Sequence, residues 1–269
     1  MIRFGNGIWL ILLLSLVASC STKPKKNYQV TTLQSISYSL LDLADRKRQL
    51  QQYEQALLLY REAESYALQR NDKYTIGLSQ LKRAAIRIQL QQPKLALELI
   101  GDVERMVKFE NVELAHPLMY IQAQYAKLTG EGATALRLLN QLQAHYQQDP
   151  EKLGYYRFVA WSYQHDAVAI DQIEADLNLL TRLKAERKLA NIEIYSYAIF
   201  HYLNYLVAKD DDRAEGVIKI ALAHFSEVEL SNKIIECYQL ASRFYEKRQL
   251  SEKAMYFRQQ AARLAQVLN

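Results

Sequence analysis

Six stretches of the chain place their apolar residues in the same phase. They begin at Ala56, Ala96, Ala135, Ala175, Ala214 and Ala254, and their leading alanines lie 40, 39, 40, 39 and 40 residues apart. At each of the positions three, four and seven residues beyond the alanine, five of the six segments are apolar. That spacing is one face of an α-helix, so the chain predicts six equivalent helices. Each follows another stretch of helical period, such as LLDLADRK from Leu40 before the first and YQLASRFY from Tyr238 before the last. Both carry small residues mid-helix, where a neighbour can approach closely. Short polar breaks separate the helices: Gln49–Gln52, Gln91–Pro93, Gly130–Gly132, Asp210–Asp212 and Arg248–Ser251. One hairpin cannot bury its apolar face alone, whereas stacked hairpins share a core.

Leu40, Ala44, Ala56, Tyr60 and Ala63, and again Tyr238, Ala241, Ser242, Tyr245, Ala254 and Ala261, form a pattern that resembles the tetratricopeptide repeat (TPR). The resemblance covers Gln34 to Leu268, with a unit five or six residues longer than the family's 34. The fourth unit, Tyr155 through Leu183, departs most, with a long connection DAVAID from Asp166. The resemblance implies an all-α protein: a right-handed α-solenoid of about six TPR-like helical hairpins with a period near 40 residues. Its first helices would line a concave wall that binds extended segments or helices. Carried over by position, that wall includes Tyr38, Leu41, Asp45 and Arg48, then Lys82, Ile86 and Gln89. Tyr120, Gln124 and Lys127 continue it, and Gln239, Arg243 and Lys247 end it. Ile86 one turn after Lys82 departs from the family's carboxylate clamp, so capture of a chaperone C-terminus is not implied.

Composition agrees with long helices and short turns, since only 8 Gly and 4 Pro punctuate 269 residues. The N-terminus adds an address. One basic residue, Arg3, precedes an eleven-residue apolar run from Ile8 to Ala18, interrupted by Ser15. Charged, apolar and small residues in that order read as a secretory signal, and the run is shorter than the roughly 20 residues of a spanning helix. Val17, Ala18, Ser19 and Cys20 resemble the bacterial lipoprotein signal. The resemblance implies cleavage after residue 19 and acylation of Cys20 with palmitate-type chains, which anchor the protein to the lipid bilayer. Ser21 after the cysteine implies the outer membrane, facing the periplasm. Residues 20–33 then serve as lipidated cysteine and flexible tether, and residues 34–269 as the repeat domain.

Removal of Arg3 with the signal leaves 34 − 1 = 33 basic against 29 acidic side chains, spread without a dense basic block, so no nucleic-acid partner is expected. Cys237 remains as the single cysteine of the mature chain, and its apolar helical surroundings read as a buried, inert thiol. The GEGATA run from Gly130 fits a dinucleotide-binding spacing, but it follows a helical pattern rather than a strand. The histidines at 116, 145, 165, 201 and 224 fall in separate segments without metal-ligand spacing. No cofactor and no catalysis are expected. The 19 tyrosines, clustered near Tyr155, Tyr195 and Tyr202, suit core or interface positions. The expected function is a scaffold for protein partners of envelope machinery, in outer-membrane protein, pilus/secretin or cell-wall assembly. The alternative is a peptide- or glycan-sensing module.

Overall fold

The computed structural model describes residues 32–268. The signal, Cys20 and nearly all of the tether lie outside them. The described residues form twelve α-helices and no strand: α1 (Thr32–Gln49), α2 (Tyr53–Gln69), α3 (Lys73–Gln89), α4 (Pro93–Glu110), α5 (Ala115–Leu128) and α6 (Gly132–His145), then α7 (Pro150–Tyr163), α8 (Ile170–Ala185), α9 (Ile192–Lys209), α10 (Ala214–Glu227), α11 (Ser231–Lys247) and α12 (Ser251–Leu268). The first helix begins two residues ahead of Gln34, where the repeat was expected to start.

From α2 onward every helix packs on the next, and α3–α5, α7–α9 and α9–α11 pack as well. The odd-numbered helices are therefore neighbours of one another as well as of the even-numbered ones, as consecutive helical hairpins require. α1 joins through Leu41 and Ala44, which cluster with Ala56, Leu57, Tyr60 and Ile86. At Gly77 on α3 the approach of Leu114 is so close that an added Cβ would lie 2.5 Å from its Cδ1.

A chain with few glycines still makes tight turns, and eight non-glycine residues do the work. Gln51, Asn71, Gln91, Asn111, Arg187, Asp210, Glu229 and Gln249 all take positive φ between 52° and 60°. After seven of them the next residue's N–H donates back to a carbonyl five residues earlier, for instance Gln52 to Lys47, Gln92 to Arg87 and Leu250 to Tyr245. This is the Schellman closure, usually made by glycine. Helix starts use Asp72, Asp149 and Asn191, whose side chains accept from the backbone N–H of Thr75, Lys152 and Glu193.

Five of the six phase-marking alanines are buried: Ala56, Ala96, Ala135 and Ala214 at 0% exposure and Ala254 at 3%. The fourth differs. Ala175 is exposed, and Asp176 beside it takes the inward position at 6% exposure. The helical face of α8 is turned by one residue, burying Ile173, Asp176, Leu177 and Leu180. Asp176 lies against Gly154 of α7 and accepts from the Arg157 guanidinium at 3.0 Å and from Gln172 at 3.0 Å. The segment alignment on Ala175 is therefore corrected to Asp176. The reason is that Arg157, one turn beyond Gly154, satisfies a carboxylate where the other hairpins need only a methyl group.

Candidate functional site

The inner wall is made by the odd-numbered helices. Two of the expected wall residues belong to the core instead: Leu41 is 6% exposed and Ile86 0%, because each faces the even-numbered helices. The others divide among six settings. Tyr38 is exposed, its hydroxyl accepting from Gln34 at 3.2 Å. Asp45 and Lys82 pair with each other, the ammonium reaching both carboxylate oxygens at 2.7 Å, while the Tyr60 hydroxyl also donates to Asp45. Burial, with Asp45 beside it, keeps the Tyr60 phenol protonated far above its usual range.

Arg48, Gln124 and Lys127 come together. With Gln89, Gln91 and Tyr163 they line a cavity of about 540 Å³ where the last turns of α1, α3, α5 and α7 meet. Lys127 donates to the Tyr163 carbonyl at 3.1 Å, at the C-terminal end of α7, where a cation offsets the helix dipole. Tyr120 lies deeper in a tyrosine network: its hydroxyl is 2.6 Å from that of Tyr155, and the Tyr155 ring is 5.4 Å from the ring of Tyr197. The Tyr197 hydroxyl is 2.8 Å from that of Ser162. Burial raises the Tyr120, Tyr155, Tyr163 and Tyr197 phenols, so all four stay neutral hydrogen-bonding groups at physiological pH.

The remaining three residues sit elsewhere. Gln239 and Arg243 line a second cavity of about 560 Å³ between α11 and α12, with Glu246, Arg258 and Ala261. Lys247 is spent on structure, its ammonium donating to the carbonyls of Val207 at 2.9 Å and Ala208 at 3.1 Å at the end of α9.

One arrangement was invisible in the sequence. The end of the first hairpin's α1 reaches the fifth and sixth hairpins. Arg48 donates to Glu193 at 3.1 Å and Gln49 donates to the same carboxylate. The Gln49 carbonyl accepts from Asn232 at 3.0 Å, and Gln51 donates to Glu236 at 3.2 Å. Burial works against the Arg48 charge, and the neighbouring Glu193, Tyr60 and Asp45 outweigh it, holding the guanidinium above its ordinary value. No local pattern marks a contact spanning 145 residues; only the number of hairpins between the partners sets it.

The tyrosine clusters split by burial. Tyr156, Tyr195 and Tyr202 are core, whereas Tyr155, Tyr197 and Tyr205 are half-buried along the inner wall. Cys237 is fully buried, and burial pushes its thiol up to about 12, so it is unreactive at neutral pH. Among the described residues no group of three His, Cys, Asp or Glu side chains could hold a metal ion, and no helix is long and apolar enough to cross a membrane. No family model and no curated protein matches this sequence.

Proposed function

We propose that the chain is a non-catalytic, lipid-anchored scaffold of the bacterial envelope, a right-handed solenoid of TPR-like hairpins with a period near 40 residues. Acylation at Cys20 holds it to the outer membrane on the periplasmic side, where it gathers protein partners of envelope assembly. The observation that carries the reading is a division of labour between helices. Five of the six regularly spaced alanines on the even-numbered helices, and Asp176 on the remaining helix, are consumed by the core. The odd-numbered helices leave Arg48, Gln124 and Lys127 facing one cavity and Gln239 and Arg243 facing another. Polar side chains held on a rigid array, away from its core, are what a binding surface needs. Anchoring adds affinity by confining scaffold and partner to one surface.

Cross-linking in intact cells followed by affinity recovery tests it, with Cys20→Ser as the unanchored control and Arg243→Glu as the surface control. The expected result is an envelope protein enriched with the wild type and depleted with Cys20→Ser at equal expression. Equal fatty-acid labelling of wild type and Cys20→Ser removes the anchor, and recovery unchanged by Arg243→Glu removes the α11–α12 end from the surface. Lys247 is unsuited to that control because it caps α9.

A further inference from the structure

The cavity at the ends of α1, α3, α5 and α7 carries a more specific chemistry than a protein-docking wall. Its volume, about 540 Å³, falls among small-molecule sites. We propose that it binds a short, uncharged oligosaccharide.

The argument begins with what its charges are already doing. Arg48 is engaged by Glu193 at 3.1 Å, and Lys127 by the Tyr163 carbonyl at 3.1 Å. No acidic residue lines the cavity; Glu193 pairs with Arg48 from behind, and the carbonyl end of α7 offsets part of the Lys127 charge. The field left to select an anion is that of one lysine turned toward α7. Three carboxamides, Gln89, Gln91 and Gln124, also line it, carried on α3, on the turn after it and on α5; Gln89 is hydrogen-bonded to the Tyr53 hydroxyl and Gln124 to that of Tyr120, and each keeps further capacity. A carboxamide offers two donors and an accepting oxygen, and the ammonium and guanidinium retain further N–H groups. Such mixed groups match hydroxyls, each of which both donates and accepts.

The remaining lining is apolar and modest: Ala85, Ile88 and Leu128 offer aliphatic surface to the C–H face of a sugar ring. A peptide strand would instead need separate pockets for alternate side chains. The wall is also set in advance. Arg48 is fixed from behind by α9, and Tyr120, whose hydroxyl meets Tyr155, is hydrogen-bonded to Gln124. Side chains fixed before the ligand arrives lose less entropy on binding.

The test uses the full-length chain in detergent micelles, titrated calorimetrically with triacetylchitotriose, cellotriose, maltotriose and, as the peptide probe, trialanine. Saturable binding of at least one trisaccharide is expected, weakened at least tenfold by Gln124→Leu and by Lys127→Met, and unchanged by Arg243→Ala at the other cavity. Circular dichroism establishes that each variant keeps its helices, and Lys127 is exposed enough for its replacement to leave the fold intact. The proposal is overturned if no trisaccharide binds the folded wild type, if both cavity variants bind as the wild type does, or if trialanine alone binds. It leaves the α11–α12 cavity to the protein partners of the scaffold reading, and binding to purified protein is decided independently of what is recovered from cells.

Discussion

Five hairpins and the fourth solve the same packing problem with different chemistry. Where α2, α4, α6, α10 and α12 turn an alanine inward, α8 turns Asp176 inward, against Gly154 and under Arg157. An alanine methyl asks nothing of its neighbours. A buried carboxylate asks for a cation and hydrogen bonds, and it costs several kcal/mol if they are missing. A repeat position is therefore defined by the space it fills and not by residue type, provided the facing helix supplies the partner.

The comparison breaks most severely if the charge is moved to a hairpin without that partner. Ala56 sits among Leu41, Ala44, Leu57 and Ile86. Ala56→Asp should cost about 4 kcal/mol or leave the first hairpins unfolded, because its carboxylate is buried without compensation. Urea unfolding followed by circular dichroism measures this, and a loss below about 1 kcal/mol would show that the first hairpin can open to hydrate the charge.

The next effect comes from removing the partner where the charge already is. Arg157→Ala leaves Asp176 at 7% side-chain exposure with only Gln172 donating to it, and should cost about 3 kcal/mol. Burial already raises the Asp176 carboxyl above its ordinary value, and Arg157 pulls it back down. In Arg157→Ala that opposition is gone, so the variant should recover part of its loss on acidification, as the carboxyl takes up a proton.

How much of this was legible follows from the kind of signal each feature leaves. The helices and turns were readable because apolar phase and polar breaks are local: Gln49–Gln52 and Gly130–Gly132 fall where the chain turns. The register of the fourth hairpin was not, because an alanine beside an aspartate reads as the inward residue by hydrophobicity alone. Asp176 faces inward only because Arg157 is 19 residues away in sequence and 3.0 Å away in space. Of the inner-wall residues, Arg48, Gln124 and Lys127 were found by position in the hairpin. Their neighbours Gln91 and Tyr163 were missed because they lie at or beyond helix ends, where position in a helical pattern no longer specifies direction. Glu193 was beyond reach, since its partnership with Arg48 depends on how the intervening hairpins stack.

Acid sharpens the comparison from another side. His224 of the fifth hairpin is 2% exposed, with Nε2 2.7 Å from the Ser196 hydroxyl. Its imidazole is pushed down to about 4, first by burial and then by Lys184, with Glu227 opposing. His201 is pushed down to about 4 by burial, Lys233 and His165. A folded value below the unfolded 6.5 means that the unfolded chain binds the proton more readily. The stability these groups give is thus complete above 6.5 and is lost as pH falls toward 4. For His224 the loss should reach about 2 kcal/mol near pH 5. Asp176 carries the opposite sign, because its raised value favours the protonated folded state. Melting temperature against pH should fall in the histidine window, and His224→Gln should flatten it. An unchanged slope in that variant would assign the acid sensitivity to His201.

The smallest effect is expected from the substitution that makes the fourth hairpin like the other five. Arg157→Leu with Asp176→Ala removes the buried pair together, leaving neither a stranded charge nor an unsatisfied acceptor. Gln172 is exposed and can turn to water. Replacing a buried ion pair with apolar groups is often neutral or stabilising, since the desolvation of both charges is recovered along with the loss of their attraction. The double variant should therefore lie within about 1 kcal/mol of the parent, against about 3 for Arg157→Ala alone. If it is as damaged as the single variant, α8 does not tolerate a methyl group in this register and the pair specifies its rotation. If the expected near-neutrality is found, Asp176 and Arg157 are interchangeable with the alanine contacts of the other hairpins. The one-residue turn of α8 is then set by Ile173, Leu177 and Leu180, which stay buried in either sequence.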